Sequence, residues 1–346
     1  MSHTIGNKHK IEIDLASVIF CIFVVVIHLL SQTVLELGGK TLSWRITYGF
    51  QRILFCAIYG FMFLSGLKSF LNRDEAFSIK DYYEGRFKKI ILPYAAAILT
   101  YWVVLFVLGL AELKPHMLAR YFFLGSLAAH FYFVIAIAQF YLLYPLTKKI
   151  LSSYSVRIIL LVSAVLNIIS VVLLCKNEFF NRLFVRYLFC YMLGAVIATH
   201  YESFTEMAKK HFIKILIIYI VALSAEETAA YAYVGNDISY RIQQVITVIY
   251  MPAAVVFWFA LCVRVAPGAR IAKTAIFKAV SRNTYHIYLW HMLAILVVNS
   301  FLTDSEGFTV MGELAIRTGI TLASMAVLII MRSFKKKGLY HGTEKN

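Results

Sequence analysis

The chain has 346 residues, of which 61% are hydrophobic and 15% charged, and its 34 Lys and Arg outnumber its 18 Asp and Glu, giving a formal charge of +16. Soluble domains are roughly 45–50% apolar and about 25% charged, and disordered chains are polar, so this composition excludes both classes. It also excludes collagen-like and disulfide-stapled proteins, which leaves a polytopic membrane protein or a very basic nucleic-acid-binding protein.

Ten apolar segments are long enough, or nearly so, to cross a bilayer as a helix of about 20 residues. Helices are the only spanning structure that these lengths allow, because barrel strands are about half as long. The sequence therefore predicts an all-α polytopic membrane protein with about ten transmembrane helices. We expect a single membrane-embedded domain over 1–346, with short cytoplasmic tails at 1–12 and 333–346. The segments are 14–34, 48–67, 90–110, 128–146, 157–175, 183–200, 212–232, 241–263, 283–302 and 312–332.

The positive charges indicate how the chain is oriented. Most of the Lys and Arg residues lie in one alternating set of the loops between these segments. The positive-inside rule then places both termini in the cytoplasm, and nucleic acid is no longer needed to explain the charge. The first segment is longer than the core of a cleaved signal peptide, and we interpret it as a retained signal anchor.

The five cysteines carry no recognisable chemistry. None has the spacing of a CxxC or of a Cys/His metal site, so no metal is predicted, and we interpret them as small buried apolar residues. They are Cys21, Cys56, Cys175, Cys190 and Cys262.

The first segment contains two ionisable residues, Asp14 near its cytoplasmic end and His28 fourteen residues further on. This spacing is roughly 21 Å along a helix and brings both side chains to within about 40° of one face. Ionisable groups in a span are costly and therefore candidates for function. The imidazole could make a helix–helix hydrogen bond, or it could face a cavity and accept a proton from a hydroxyl.

The second segment contains Arg52 about one turn from its outer end. Its side chain could extend to the outer interface, or it could hold an anion or a developing oxyanion near His28. The same segment ends with Ser65 and Gly66, small residues whose simplest role is close helix packing, and Ser65 is also a candidate for the lining of a substrate site or channel.

Three basic residues, Arg86, Lys88 and Lys89, precede the third segment. Orientation alone could explain such a cluster, and it could equally hold the phosphates of a cytoplasmic donor. Towards the outer face, Glu226 and Glu227 end the seventh segment. We expect them to be solvated, with a sugar hydroxyl or a cation as the alternative ligand.

Two later segments contribute further candidates for a polar lining. His130 opens the fourth segment and could be merely interfacial. The ninth segment begins with Tyr285, His286, Tyr288 and His291. The aromatic residues could form an interfacial belt, whereas His291 lies roughly 12 Å from the inner end and is too deep for that explanation.

Five stretches, in this order, resemble motifs of the acyltransferase-3 family of integral membrane O-acyltransferases, and most closely its bacterial branch that acetylates surface polysaccharides. They cover most of the chain from Asp14 to His291. The stretches are IDLASVIFCIFVVVIH, QRILFCAIYGFMFLSGL, YYEGRFKKIILPY, HFYFVIAIAQFYLLYPL and TYHIYLWH.

The resemblance implies transfer of an acyl group, usually acetyl, from cytoplasmic acetyl-CoA to a glycan hydroxyl, with no permanently bound cofactor. His28 would be the catalytic imidazole, and we group Asp14 and Arg52 with it. Arg86 and Lys89 match a family Arg-x-x-Arg pattern with Lys in the second place, which loses the guanidinium fork. A further departure is the absence of the Arg that the family often has near Asp14.

The expected partners are membrane lipids, acyl-CoA and a surface polysaccharide or its lipid-linked precursor, in the plasma membrane of a bacterium. An exporter of glycans or lipid-linked intermediates is the alternative, because it also needs many helices and buried polar groups. A membrane sensor or assembly partner fits less well, since no soluble signalling domain is present.

Overall fold

A computed structural model describes residues 10–39, 41–71, 78–112, 114–302 and 308–342, and all regular secondary structure in these ranges is helical, with no strand. The α-helices are α1 (Ile11–Leu37), α2 (Leu42–Leu54), α3 (Cys56–Leu71), α4 (Ile79–Arg86), α5 (Leu92–Val107), α6 (Pro115–Leu124), α7 (Tyr132–Leu142), α8 (Tyr144–Ser153), α9 (Val156–Leu174), α10 (Leu188–Thr199), α11 (Tyr201–Lys210), α12 (Phe212–Val234), α13 (Tyr240–Val265), α14 (Ala275–Leu302) and α15 (Val310–Gly342).

All ten predicted segments fall on helices, and the predicted all-α membrane fold is confirmed. Within the described ranges, seven helices or continuous helical stretches are long and apolar enough to cross a membrane, or eight if α7 and α8 form one span. The count of ten stays a prediction. The sixth segment is shorter than predicted, because α10 begins only after a 3₁₀ turn at Phe184–Tyr187.

Two predicted spans contain an irregularity. The second changes helix at Phe55, between α2 and α3. The fourth bends by 54° between α7 and α8, where Pro145 lies in the first turn of α8. Proline fits the first turn of a helix but cannot continue the one before it, so it places the bend here.

The third span begins earlier than predicted. Helix α4 passes through a π-helical turn, Phe87–Ile91, directly into α5, giving a continuous stretch from Ile79 to Val107. The basic cluster therefore lies within this helical stretch, not in a loop before it. Single π turns inside α-helices are uncommon and are often found at functional sites.

Helix α1 is central. It packs against α2, α3, α13, α14 and α15, which places its inward-facing residues in the middle of the body. The five cysteines are free and buried, as predicted.

Helices α3 and α10 pack very closely, because each places a glycine against the backbone of the other helix. A Cβ atom added at Gly66 would overlap with the carbonyl oxygen of Tyr191, and one added at Gly194 would overlap with the carbonyl oxygen of Phe63. Small residues allow such close crossings in membranes. The interpretation of Gly66 as a packing residue is therefore confirmed.

Candidate active site

Three histidines from distant parts of the chain meet in the interior. The ring centroids of His28 and His291 are 5.2 Å apart, those of His130 and His291 are 5.1 Å apart, and those of His28 and His130 are 6.0 Å apart. His130 is 2% exposed and His291 is 0% exposed. The interfacial position considered for His130 is therefore wrong, because the residue packs under α14 instead of facing the headgroups.

Backbone carbonyls determine which nitrogens of two imidazoles carry the protons. His130 Nε2 lies 3.2 Å from the carbonyl oxygen of Leu289, and His291 Nδ1 lies 2.9 Å from that of Tyr288. A carbonyl can only accept, so we assign the protons to these two nitrogens. The opposite nitrogens, His130 Nδ1 and His291 Nε2, are then acceptors, and neither finds a hydrogen-bond partner within the described ranges. The cluster therefore presents two unpartnered acceptor nitrogens within the described ranges.

The surrounding backbone is held by side-chain hydrogen bonds. The Tyr288 hydroxyl donates to the carbonyl of His130, and the Tyr101 hydroxyl donates over 2.8 Å to the carbonyl of Leu289. Gln51 Nε2 donates over 2.9 Å to the carbonyl of Ile27, next to His28. These bonds fix the segments that carry all three rings. The described residues contain no group of three or more His, Cys, Asp or Glu side chains suited to holding a metal ion.

A cavity of about 150 Å³ lies beside the cluster. Ser17, Ser65 and Lys68 form part of its wall, and Tyr288 joins it to the histidines. The Tyr288 ring centroid is 5.3 Å from that of His130 and 6.1 Å from that of His291. The cavity therefore ends at Tyr288 next to the imidazole cluster, and none of the three histidines lines it.

The predicted lining residues are divided between two places. Ser65, Tyr285 and Tyr288 line the cavity, whereas His130 and His291 lie in the imidazole cluster beyond it. His286 is half-buried beside Tyr285, with ring centroids 6.0 Å apart, and is not part of the cavity wall.

Of the two other predicted catalytic residues, Asp14 is far from the imidazoles and Arg52 is bound to a carboxylate. Asp14 is in the first turn of α1, roughly 21 Å from His28 along the helix. Arg52 pairs with Glu226 of α12 and lies 3.5 Å from Thr247 Oγ1 of α13. The charge of Arg52 is thus engaged by a carboxylate of the protein itself.

The expectation that Glu226 is solvated is wrong, since its side chain is 0% exposed. Thr247 Oγ1 donates over 3.0 Å to Glu226 Oε2, and Gln243 Nε2 donates over 2.8 Å to Thr247 Oγ1. A carboxylate can be buried only when paired and hydrogen-bonded, and its partners come from two other helices.

Replacing Glu226 by glutamine should destabilise the protein by about 3–5 kcal/mol, because Arg52, whose side chain is only 14% exposed, then loses its counter-ion. Thermal unfolding of the detergent-purified protein measures this. The control Glu206→Gln, on the exposed face of α11, should unfold like the wild type. The double variant Arg52→Met/Glu226→Leu should regain part of the loss. A Glu226→Gln variant as stable as the wild type would contradict this account of the ion pair.

The basic cluster is also divided. The Arg86 guanidinium lies over the rings of Tyr82 and Tyr141, 5.0 and 4.6 Å from their centroids, and Tyr141 lines the cavity. Lys88 pairs with Glu84 on an exposed face, and Lys89 is exposed. Of the three, Arg86 is therefore the one adjacent to the cavity.

The π turn shapes the wall opposite α3. Ile90 belongs to that turn and lines the cavity, and its carbonyl accepts a 2.9 Å hydrogen bond from the Tyr285 hydroxyl. This bond joins the third span to α14, so the turn and the aromatic motif form one wall.

Sequence reasoning missed Lys68, which it counted as an inner-loop charge. The residue lies within α3 and lines the cavity together with Ser65. Residues three apart share a face of a helix, so the spacing of Ser65 and Lys68 was a signal that could have been used.

Comparisons with known proteins agree with the motifs. A family model of the acyltransferase-3 type, described as an acyltransferase domain, matches residues 10–332. Two curated relatives, both named "Probable poly-beta-1,6-N-acetyl-D-glucosamine export protein", come from Staphylococcus epidermidis and from its strain RP62A. Each is 25% identical over 305 residues, which cover 84% of this chain and 82% of the relative. No solved structure matches the chain significantly.

Proposed function

Because this chain belongs to the acyltransferase-3 family, we propose that it is a membrane O-acyltransferase whose reaction takes place at the three histidines. The donor is a cytoplasmic acyl-CoA, with acetyl-CoA the first to test, and the acceptor is a hydroxyl of a surface glycan or of its lipid-linked precursor. The observation that carries the proposal is the cluster of three imidazoles, with two unpartnered acceptor nitrogens, beside a cavity.

The imidazoles supply what the transfer requires. The acceptor oxygen attacks the thioester carbonyl, a new C–O bond forms and the C–S bond breaks. The hydroxyl proton passes to an imidazole and from there to the departing thiolate, so that the products are an ester and free CoA. We assign this proton transfer to His28 because it is the least buried of the three imidazoles and lies where the family resemblance puts the catalytic histidine.

The proposal includes the location of the reaction. The chain is a multi-pass membrane protein. We assign it to the plasma membrane of a bacterium with both termini in the cytoplasm, which the distribution of Lys and Arg and the bacterial relatives support. The donor would then enter from the cytoplasmic side and the acceptor from the other.

Proteoliposomes containing the purified full-length protein test the function. Acetyl-CoA labelled in the acetyl group is added to one side, and a β-1,6-linked N-acetylglucosamine oligosaccharide, chosen from the relatives' name, is the acceptor. We expect base-labile label in the oligosaccharide and stoichiometric release of CoA. If neither label transfer nor CoA release exceeds that of empty liposomes, the proposed activity is wrong for this acceptor–donor pair.

The name of the curated relatives favours a second function, export of a glycan. The same proteoliposomes distinguish the two. Movement of the oligosaccharide across the bilayer without CoA, and without any ester formed, would support the exporter. Ester formation that requires acyl-CoA supports the enzyme.

A further inference from the structure

The cavity wall contains a cation. Among the lining residues, all within the described ranges, Lys68 alone is charged. Its neighbours Leu67 and Ser69 are buried, whereas Lys68 itself is exposed. Lys68 is thus an accessible residue that also lines the cavity. Its Nζ donates over 2.9 Å to Ser17 Oγ of α1, so α1 fixes where the charge lies.

The charges around Lys68 leave it suited to an anion. Asp14 and Arg86 both act electrostatically on its ammonium group. Lys68 therefore has a second cation and one carboxylate within electrostatic range, and neither of them lines the cavity. An ammonium has three N–H donors and Ser17 receives one of them. A positive site at a cavity mouth attracts anionic ligands and orients them as they enter.

The distance from Lys68 to His28 matches the length of the arm of an acyl-CoA. Its partner Ser17 and the catalytic candidate His28 are eleven residues apart on α1, which corresponds to roughly 16 Å along the axis. In acyl-CoA, the arm between the thioester sulfur and the nearest phosphorus has as many bonds as four to five extended residues, on the order of 15 Å. A thioester beside His28 would thus place the diphosphate beside Lys68.

We propose that Lys68 binds the diphosphate of the acyl-CoA donor and thereby positions the thioester at His28. This inference rests on the proposed function. Lys68 is a positioning residue, since it acts on the donor far from the reacting carbonyl. It takes the role that the sequence suggested for Lys88 and Lys89, whose side chains are exposed outside the cavity.

The variant Lys68→Met tests the inference with two donors, acetyl-CoA and acetyl-pantetheine, which has the same thioester and the same arm but no diphosphate. We expect kcat/KM for acetyl-CoA to fall about ten- to a hundredfold, the range for a hydrogen bond to a charged group, mainly through KM. The value for acetyl-pantetheine should not change. The control Lys149→Met removes an exposed lysine from α8 and should leave both values unchanged.

Moving the charge gives a second, independent test. Because Ser17 Oγ lies 2.9 Å from Lys68 Nζ, Ser17→Arg/Lys68→Met returns a cation to the same place from the opposite helix. This double variant and Lys68→Arg should both regain the preference for acetyl-CoA. A Lys68→Met variant that keeps the wild-type preference overturns the inference.

The wild type provides a test that does not depend on any variant folding. It should prefer acetyl-CoA to acetyl-pantetheine, and this preference should shrink as ionic strength rises. Equal use of both donors by the wild type would overturn the role of Lys68.

Binding separates this inference from the proposed function. CoA should raise the melting temperature of the wild type, and pantetheine should raise it less. If the wild type transfers no acyl group from either donor, the proposed function fails. If transfer occurs but CoA stabilises Lys68→Met as strongly as the wild type, the assignment of Lys68 alone fails.

Discussion

Replacing His28 by alanine should reduce acyl transfer by about 10²–10⁴-fold, the usual contribution of a side chain that moves a proton in the transition state. The amount of folded protein should not change, because His28 lies at the less buried edge of its cluster and its loss leaves no buried charge. Initial rates with labelled acetyl-CoA, set against the folded amount from size-exclusion chromatography, measure this.

Two comparisons make the result specific. His116→Ala removes an exposed imidazole from α6 and should keep full activity. Adding His291→Ala to His28→Ala should cost little more, since residues that act as one unit are far from additive. Full activity in His28→Ala, or a loss that only follows a lower folded amount, would remove His28 from the mechanism.

Replacing Gly194 by leucine should cost more than the about 1–3 kcal/mol typical of an overpacked core. The atom that blocks a Cβ at this position is the backbone carbonyl of Phe63, which has no alternative rotamer. Helices α3 and α10 would have to separate, and α3 carries Ser65 and Lys68. We expect a strongly lowered melting temperature or no folded protein in detergent extracts.

The matched control is Gly319→Ala in α15, where an added Cβ meets nothing within 4 Å. Alanine favours helix over glycine by about 1 kcal/mol, so this variant should be as stable as the wild type or slightly more stable. A Gly194→Leu variant with the melting temperature of the wild type would show that α3 and α10 can separate without loss of stability.

Much of the helical frame could be predicted from hydrophobic runs alone. The breaks could not, because a run of apolar residues says nothing of where a helix changes direction. Pro145 explains the bend between α7 and α8 once the structure is known. The residues around Phe55 contain no comparable signal for the change of helix there. The early start of the third span was missed because charged residues in a helical stretch look the same in sequence as a loop.

The candidate site, like the helical frame, could be predicted only in part. His28 and His291 could be selected individually, because a titratable group deep in a span is costly. Their meeting with His130 depends on how α1, α14 and the turn before α7 pack together, which periodicity within one helix does not encode. Glu226 was misjudged for that reason, since its partner Arg52 lies 174 residues away.

The central position of α1 determines how long the arm of the donor must be. Ser17 and His28 lie on one uninterrupted helix, and five other helices surround it. A helix rises by a fixed amount per residue and resists stretching. Any movement of the surrounding helices would leave the spacing of these two points unchanged. The length of α1 thus fixes the distance between the two sites. A donor whose arm is shorter or longer than this distance would place its acyl group short of the histidines or beyond them.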